Sequence, residues 1–125
     1  MRVLLDTHVL LWSIEAPERI GAEAQAAFRN DVTGVVVSVV NLWEIAIKRR
    51  LGHLKAPENL PDLVAGMGHQ ILDVGMAHAW HVRTLPLHHR DPFDRMLVAQ
   101  AQIENLTLVT HDQALFDYDV RIIRA

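Results

Sequence analysis

Short apolar runs rich in β-branched residues alternate along this chain with segments of helical pattern. The runs predict strands at residues 2–5, 35–39, 70–74, 106–110 and 120–123. The connections between them are long and most carry helical segments, which suits crossovers between parallel strands better than hairpins. We therefore expect an α/β fold with a mainly parallel central sheet of about five strands and helices on both faces.

The predicted helices follow from apolar periodicity and from their end signals. They cover residues 9–12 (stopping before Pro17), 20–30, 41–51 (closed by Gly52), about 60–67, 76–85 and 91 to about 105, with a short helix within 111–116. With 125 residues, half of them hydrophobic, the chain has the size of one domain with one core, so we assign residues 1–125 to a single domain.

Composition excludes several kinds of chemistry. There is no cysteine, which leaves metal binding to carboxylates and to the eight histidines. The net charge of −3 argues against binding nucleic acid through bulk charge, so any such contact must be local. Residues 1–6 contain only a short apolar run before a charge, which fits neither a signal peptide nor a membrane span. We expect a cytoplasmic protein with no membrane partner.

The tract from Asp91 to Ala101 predicts a turn that becomes a helix. Asp91 suits the N-cap and Pro92 the first helical position, where its missing N–H costs nothing. Asp94 then falls in the first turn, where the helix dipole is positive. Taken alone, the two acids are better explained as a capping pair. The positions of the other acids decide between a cap and a site.

Four carboxylates are expected at one edge of the sheet. In parallel sheets ligands bind outside the carboxyl ends of the strands. Asp6 directly follows the first strand, Glu44 lies early in the helix after the second, and Asp112 comes two residues after Thr110. Because a crossover helix runs back along the sheet, the N-terminus that carries Asp94 also belongs at this edge. Each acid has a simpler reading as a cap, a turn residue or, for Glu44, an i+4 partner of Lys48. Together, however, they repel one another unless a cation neutralises them, and an all-oxygen ligand set favours Mg²⁺ or Mn²⁺.

The sequence resembles the PIN domain and, within it, the VapC-like toxins of bacterial type II toxin–antitoxin pairs. The similarity runs through four motifs in order: Leu-Leu-Asp-Thr-His, Val-Ser-Val-Val-Asn-Leu-Trp-Glu-Ile-Ala-Ile-Lys, His-His-Arg-Asp-Pro-Phe-Asp-Arg-Met-Leu-Val-Ala-Gln-Ala and Leu-Thr-Leu-Val-Thr-His-Asp. The family's acidic quartet, catalytic and metal-binding, falls on Asp6, Glu44, Asp94 and Asp112. Asp94 is preferred to Asp91 because the family's acid directly precedes the apolar helix. Thr7, Ser38 and Thr110 match small hydroxyl positions that often line the site.

The resemblance also implies an activity and partners. It implies Mg²⁺- or Mn²⁺-dependent cleavage of RNA that leaves a 5′-phosphate, with Glu44 the acid best placed to orient water. It further implies a cognate antitoxin that covers the site, and a homodimer. RNA contact needs local positive charge, and His88, His89, Arg90 and Arg95 flank Asp94 as candidates.

Other notable side chains have simpler structural interpretations. Lys48, Arg49 and Arg50 are expected to complement the dipole at the C-terminal end of their helix. His78 and His81 are expected on a partly buried helical face rather than on a metal. Trp12, Trp43 and Trp80 are expected in the core or at a dimer contact rather than as stacking platforms for bases.

Two other classes of function remain as alternatives. One is a doubly wound phosphohydrolase or phosphoacceptor, in which an aspartate after the first strand attacks phosphate. Haloacid-dehalogenase-like enzymes of this kind carry D-x-D there and a downstream lysine, whereas this chain has Asp6-Thr7-His8 and no lysine after Lys55. An HD-type hydrolase is suggested only by His111-Asp112, without a helical histidine set. The second class is a non-catalytic PIN-like scaffold, against which the intact quartet argues, since four mutually repelling acids destabilise a fold without a cation.

Overall fold

The computed structural model describes residues 1–125 as a five-stranded sheet with six α-helices. The strands are β1 (Arg2–Leu5), β2 (Gly34–Ser38), β3 (Gln70–Leu72), β4 (Thr107–Thr110) and β5 (Ile122–Arg124). The helices are α1 (Thr7–Glu15), α2 (Ala22–Arg29), α3 (Val39–Arg50), α4 (Leu60–Gly66), α5 (Met76–His81) and α6 (Pro92–Glu104), with 3₁₀ turns at Pro17–Arg19, Val82–Thr84 and Gln113–Leu115. None of the helices combines the length and the apolar character needed to cross a membrane.

All neighbouring strands are parallel, in the order β3-β2-β1-β4-β5. The central strand β1 pairs with β2 on one side and with β4 on the other, so that Leu4 faces both Val36 and Leu108 in register. The chain builds β2 and β3 outward on one side of β1 and then crosses to the other side for β4 and β5. This reversal between β1 and β4 opens a crevice at the carboxyl edge, the usual place for a ligand in an open parallel sheet.

The core is divided by the sheet into two layers, as a sheet covered on both faces requires. Val3 and Leu5 point into one layer, where residues of α1, α2 and α4 meet them. Leu4, between them in the chain, points into the other layer, with α6 residues such as Leu97 and Val98. The predicted α/β architecture with a parallel sheet is thus confirmed, and its rigid centre positions the loops at the carboxyl edge.

The element boundaries differ from the predicted ones where side chains cap helices. Helix α1 begins at Thr7, earlier than predicted, because the Asp6 side chain accepts the His8 backbone N–H. Helix α3 begins directly after Ser38, whose side chain caps it while Asn41 bonds back to the Ser38 N–H at 2.9 Å. The predicted strand therefore ends one residue early and the helix starts two residues early.

Three elements in the second half of the chain are also shorter than predicted or shifted from their predicted positions. The third strand ends at residue 72 rather than 74, and the fifth covers 122–124 rather than 120–123. The helix predicted over 76–85 is a short α-helix that tightens into a 3₁₀ turn over its last residues, a common way for a helix to end.

The tryptophans are mostly not core residues, contrary to one of the two predicted roles. Trp43 and Trp80 are 57% and 68% exposed, and only Trp12 packs partly against the core. Trp43 lies edge-on to Phe93, with ring centroids 5.0 Å apart. Apolar periodicity alone did not distinguish these exposed rings from buried ones.

Candidate metal centre at the carboxyl edge of the sheet

All four predicted acids line one cleft of about 450 Å³ at the carboxyl edge. Its lining contains no hydrophobic residue and consists of Asp6, His8, Glu44, Lys48, His89, Asp91, Asp94, His111, Asp112 and Gln113. The cleft thus contains five carboxylates and a single lysine. Such an arrangement creates a strongly negative potential within the cleft.

Asp6 is held at the end of β1 by bonds from two neighbouring segments. Its backbone N–H donates to the Val109 carbonyl at 2.9 Å, which continues the pairing of β1 with β4. One carboxylate oxygen accepts the His8 N–H, and the other accepts the hydroxyl of Thr110. Asp6 is 4% exposed, and burial, the largest effect, raises its pKa although these hydrogen bonds act to lower it.

Glu44 lies on the buried face of α3 and is bonded at both oxygens. Oε1 accepts the hydroxyl of Thr7 at 2.5 Å, and that hydroxyl in turn accepts a hydrogen bond from Asn41 at 3.0 Å. Oε2 binds the ammonium of Lys48. The i+4 pairing of Glu44 with Lys48 and the location of Glu44 in the cleft, which the sequence presented as alternatives, are therefore both present.

Asp91 caps the start of α6 and also faces the cleft. Asp91 Oδ1 accepts the backbone N–H groups of Phe93 and Asp94 at 2.8 and 3.3 Å, which makes Asp91 the predicted N-cap. Its other oxygen faces the cleft, 3.8 Å from Lys48 Nζ. The sequence therefore understated Asp91, which caps the helix and also adds a fifth acid to the site.

The acidity of Asp94 is strongly perturbed by its surroundings. It is 8% exposed, and burial together with the charges of Asp6, Asp91, Glu44 and Asp112 raises its pKa to about 8. At neutral pH and without a compensating cation, this carboxyl group holds its proton. A divalent ion in the cleft removes the cause of that shift, since it favours the charged form.

His89 joins the acids of α6 to the end of β4. Its Nε2 lies 2.9 Å from Asp94 Oδ2 and 3.1 Å from Asp112 Oδ2. Its Nδ1 accepts the Asp91 backbone N–H at 3.3 Å, which leaves Nε2 facing the two carboxylates. Asp112 itself caps the following 3₁₀ turn by accepting the Ala114 N–H at 3.0 Å.

The donor set fits a divalent cation. Two groups of side chains, Glu44–Asp91–Asp94 and His89–Asp94–Asp112, bring their ligand atoms within 4.8 Å of one another. Carboxylate oxygens are the ligands that Mg²⁺ prefers, and Mn²⁺ also accepts an imidazole nitrogen. Asp6 belongs to neither group, but its charge is the largest of those acting on Asp94.

Lys48 is a cleft residue, which corrects its predicted role as a dipole-complementing surface residue. Burial alone would lower the pKa of Lys48, but the hydrogen bond and charge of Glu44, with the charges of Asp91 and Asp94, outweigh it and raise that pKa. Arg49, next in the chain, points away and pairs with Glu58 at 2.7 Å on the exposed surface.

The predicted substrate contacts divide into those at the cleft and those away from it. Thr7 and Thr110 are buried behind the acids and orient them through hydrogen bonds. Ser38 is fully buried and donates to Gln100 at 2.6 Å, so its geometry gives no support to direct substrate contact. Arg95 donates to carbonyls of the loop before α6, at 2.8 Å for Pro86, and to the Tyr118 hydroxyl at 3.2 Å, which makes it a brace of that loop.

His78 and His81 bind separate partners on α6 and form no metal pair. His78 Nδ1 accepts the Gly75 N–H at 2.9 Å and its Nε2 lies 3.0 Å from Glu104, while His81 bonds Gln102 at 2.6 Å. These two histidines lie on a partly buried face of α5, as predicted, and that face contacts α6.

Fold and cleft together define an α/β protein with an acidic cleft at the point where the strand order of a parallel sheet reverses. The model of the PIN domain family matches residues 3–120, and the chain belongs to that family. No curated protein was found to match the sequence.

Several solved structures share the fold at low sequence identity. VapBC2 from Rickettsia felis, bound to a DNA fragment from its promoter, has a chain that aligns with a TM-score of 0.74 at 16% identity, covering 100% of this chain and 99% of that one. A chain of DNA-bound VapBC from Salmonella typhimurium aligns with a TM-score of 0.71 at 20% identity, covering 99% and 98%. A chain of a toxin–antitoxin complex from Klebsiella pneumoniae gives 0.65 at 17% identity, covering 97% and 95%.

Proposed function

We propose that this protein is a Mg²⁺- or Mn²⁺-dependent endoribonuclease and the toxin of a type II toxin–antitoxin pair. The observation that carries the proposal is the convergence of five carboxylates in a cleft with only one lysine, with the pKa of the buried Asp94 raised to about 8. One lysine leaves most of this negative charge unbalanced, which destabilises the fold, and a divalent ion is the partner whose charge and ligand preference match it. Membership of the PIN domain family supports hydrolysis of RNA as the reaction.

Each side chain has a task in this proposal. Asp94 and Asp112 hold the metal, with the His89 ring at their side and the charge of Asp6 behind them. When bound, the metal supplies Lewis-acid activation of water and of the phosphodiester. Glu44 is fixed by the Thr7 hydroxyl, and the remaining lone pairs of its carboxylate serve to orient the attacking water.

The rim of the cleft offers rings on which an unpaired base can stack. His8 and His111 line the cleft with ring centroids 5.8 Å apart, and His111 lies 4.8 Å from the Trp12 ring. The Arg19 guanidinium lies over the Trp12 ring, 4.7 Å from its centroid. Aromatic rings with a nearby cation suit single-stranded RNA, because stacking needs no base pairing and the cation attracts the backbone.

The partner in this proposal is a cognate antitoxin, and the protein itself forms a homodimer. The structural neighbours are chains of VapBC and other toxin–antitoxin complexes. The strongly acidic cleft is complementary to a basic side chain of such a partner.

The deciding experiment incubates purified protein with a mixed RNA pool in Mg²⁺, in Mn²⁺ and in chelator. We expect cleavage only with metal, and products with 5′-phosphate ends. Asp94→Asn should lose this cleavage, because it removes a ligand shared by both groups of donors. Asp31→Asn, at an exposed turn outside the cleft, is the matched control and should cut as the wild type does.

Unimpaired cleavage by Asp94→Asn would refute the assignment of the site. Absence of cleavage by folded wild type on the pool, and then on transfer and ribosomal RNAs tested singly, would leave a non-catalytic scaffold. The toxin role is tested separately by expression without a partner, which should arrest growth for the wild type and not for Asp94→Asn.

A further inference from the structure

The cleft contains two overlapping groups of possible metal ligands, and they are not equivalent. Both include Asp94, with Glu44 and Asp91 on one side and His89 and Asp112 on the other. The first group already contains a cation, because the Lys48 ammonium binds Glu44 Oε2 and lies 3.8 Å from Asp91 Oδ2. In the second group, no lysine or arginine forms an ion pair with Asp112, and the partners of the His89 ring are Asp94 and Asp112.

The position of Lys48 is determined by more than a surface ion pair. Glu44 is 3% exposed and is anchored by Thr7, so the anion that Lys48 meets cannot move out to solvent. The Lys48 side chain is 29% exposed and its ammonium lies 5.9 Å from the Phe93 ring centroid, with the ring on the helix that carries Asp94. An ion pair with one partner buried and fixed is far less screened than an exposed i,i+4 pair.

We propose that Lys48 acts as a built-in cation for the Glu44 side of the cleft, so that the site takes one divalent ion, in the His89–Asp94–Asp112 group. A second divalent ion near Glu44 and Asp91 would have to displace the ammonium or lie beside it, and like charges at such distances repel strongly in a partly buried site. Lys48 thereby becomes a specificity-determining residue for metal number. This inference rests on the proposed function, since it concerns the metal of that same site.

The test counts bound ions directly and needs no RNA. Mn²⁺ is titrated into chelator-stripped protein, and free Mn²⁺ is measured by electron paramagnetic resonance. We expect one ion per chain for the wild type and two for Lys48→Met, in which Glu44 and Asp91 lose their cation. Lys48→Gln, which keeps a hydrogen-bond donor for Glu44 but no charge, should also bind two and serves if the methionine variant folds poorly.

Two controls isolate the charge of Lys48. Lys48→Arg keeps a cation and should bind one ion, and Arg49→Met removes the neighbouring charge outside the cleft and should also bind one. A count of two in the wild type, or of one in both neutral Lys48 variants, overturns the proposal. A count of zero in the wild type overturns it together with the metal part of the proposed function, whereas one ion without RNA cleavage leaves Lys48 as proposed and refutes the nuclease alone.

Discussion

The hydroxyl of Thr110, at the end of β4, donates a hydrogen bond to the carboxylate of Asp6, at the end of β1. The same hydroxyl accepts the Asp112 backbone N–H at 3.1 Å, so one buried oxygen links the ends of two strands and orients two of the cleft acids. Because this bond crosses the switch point of the sheet, it ties the geometry of the cleft to the pairing of the central strands.

Replacing that hydroxyl should destabilise the protein. Thr110→Val keeps the shape but leaves an Asp6 oxygen without its donor and the Asp112 N–H without its acceptor, at a cost of about 1–3 kcal/mol. Chemical denaturation in chelator measures this loss. Thr107→Val, a buried threonine at the other end of the same strand that makes no side-chain hydrogen bond to the protein, is the control and should cost less. Equal losses of unfolding free energy in the two variants would show that the Thr110 hydrogen bonds do not stabilise the protein.

The stability of the metal-free protein should depend on pH through Asp94. Its folded pKa of about 8 lies above the value of 3.8 expected in the unfolded chain. Between these values the folded protein keeps a proton that the unfolded chain releases, so this contribution to stability is complete below pH 4 and is lost as the pH rises towards 8. The direction of the Asp6 shift has the same sign.

Melting temperatures of wild type and Asp94→Asn, measured in chelator from pH 5 to pH 9, check this prediction. The variant should melt several degrees above the wild type at pH 8–9, and the difference should shrink as the pH falls. Asp31→Asn should follow the wild type throughout. Parallel curves for wild type and Asp94→Asn would contradict the raised pKa.

Divalent metal should stabilise the folded protein by mass action. Mg²⁺ or Mn²⁺ binds the assembled acids and not the unfolded chain, so the melting temperature should rise with metal concentration. A hundredfold excess over the dissociation constant corresponds to about 2.7 kcal/mol. Asp94→Asn should lose most of the rise, measured by calorimetry in the same buffers. An equal rise in both proteins would place the metal elsewhere.

Much of the fold, and the placement of the four acids at one edge of the sheet, could be predicted from local patterns in the sequence. The β-branched run 35–39 and the apolar run 106–110 have the character of buried strands, and parallel pairing necessarily brings the residues after them to one edge. Asp6 and Asp112 needed only that argument. Asp94 needed one further step, that a crossover helix starts at the same edge.

The prediction placed Lys48 away from the cleft because it took the position of the Cα atom as the position of the side chain. Side chains of an α-helix tilt towards its N-terminus, and a lysine stem is long enough to reach back one turn. Lys48 therefore ends beside Glu44 in the cleft, although its Cα belongs to the last turns of α3. Asp91 was understated for a related reason, since a carboxylate has two oxygens and capping uses one of them.

We expect Arg95 to stabilise the segment before α6 through its hydrogen bonds. Its guanidinium donates to four backbone carbonyls between residues 82 and 89 and to the Tyr118 hydroxyl. Arg95→Met leaves these acceptors unpaired, so we expect a loss of about 2 kcal/mol or more in unfolding free energy and faster amide hydrogen exchange over 82–89. Arg90→Met, at an exposed arginine without an ion pair, should change neither. Unchanged stability of Arg95→Met with weaker RNA binding would instead make Arg95 the substrate contact predicted from sequence.

The rings at the rim should contribute to RNA binding and not to metal binding. His8 and His111 line the cleft but make no hydrogen bond to the acids through their side chains. Replacing both with alanine removes a surface on which one base stacks, which corresponds to roughly tenfold weaker binding of a short single-stranded RNA. Anisotropy titrations in the cleavage-deficient Asp94→Asn background measure this change. His53→Ala, at an exposed histidine outside the cleft, is the matched control. Unaltered RNA affinity in the double variant would mean that RNA reaches the acids along another side of the cleft. If the same two substitutions in the otherwise wild-type protein altered Mn²⁺ affinity, these rings would act on the metal site itself.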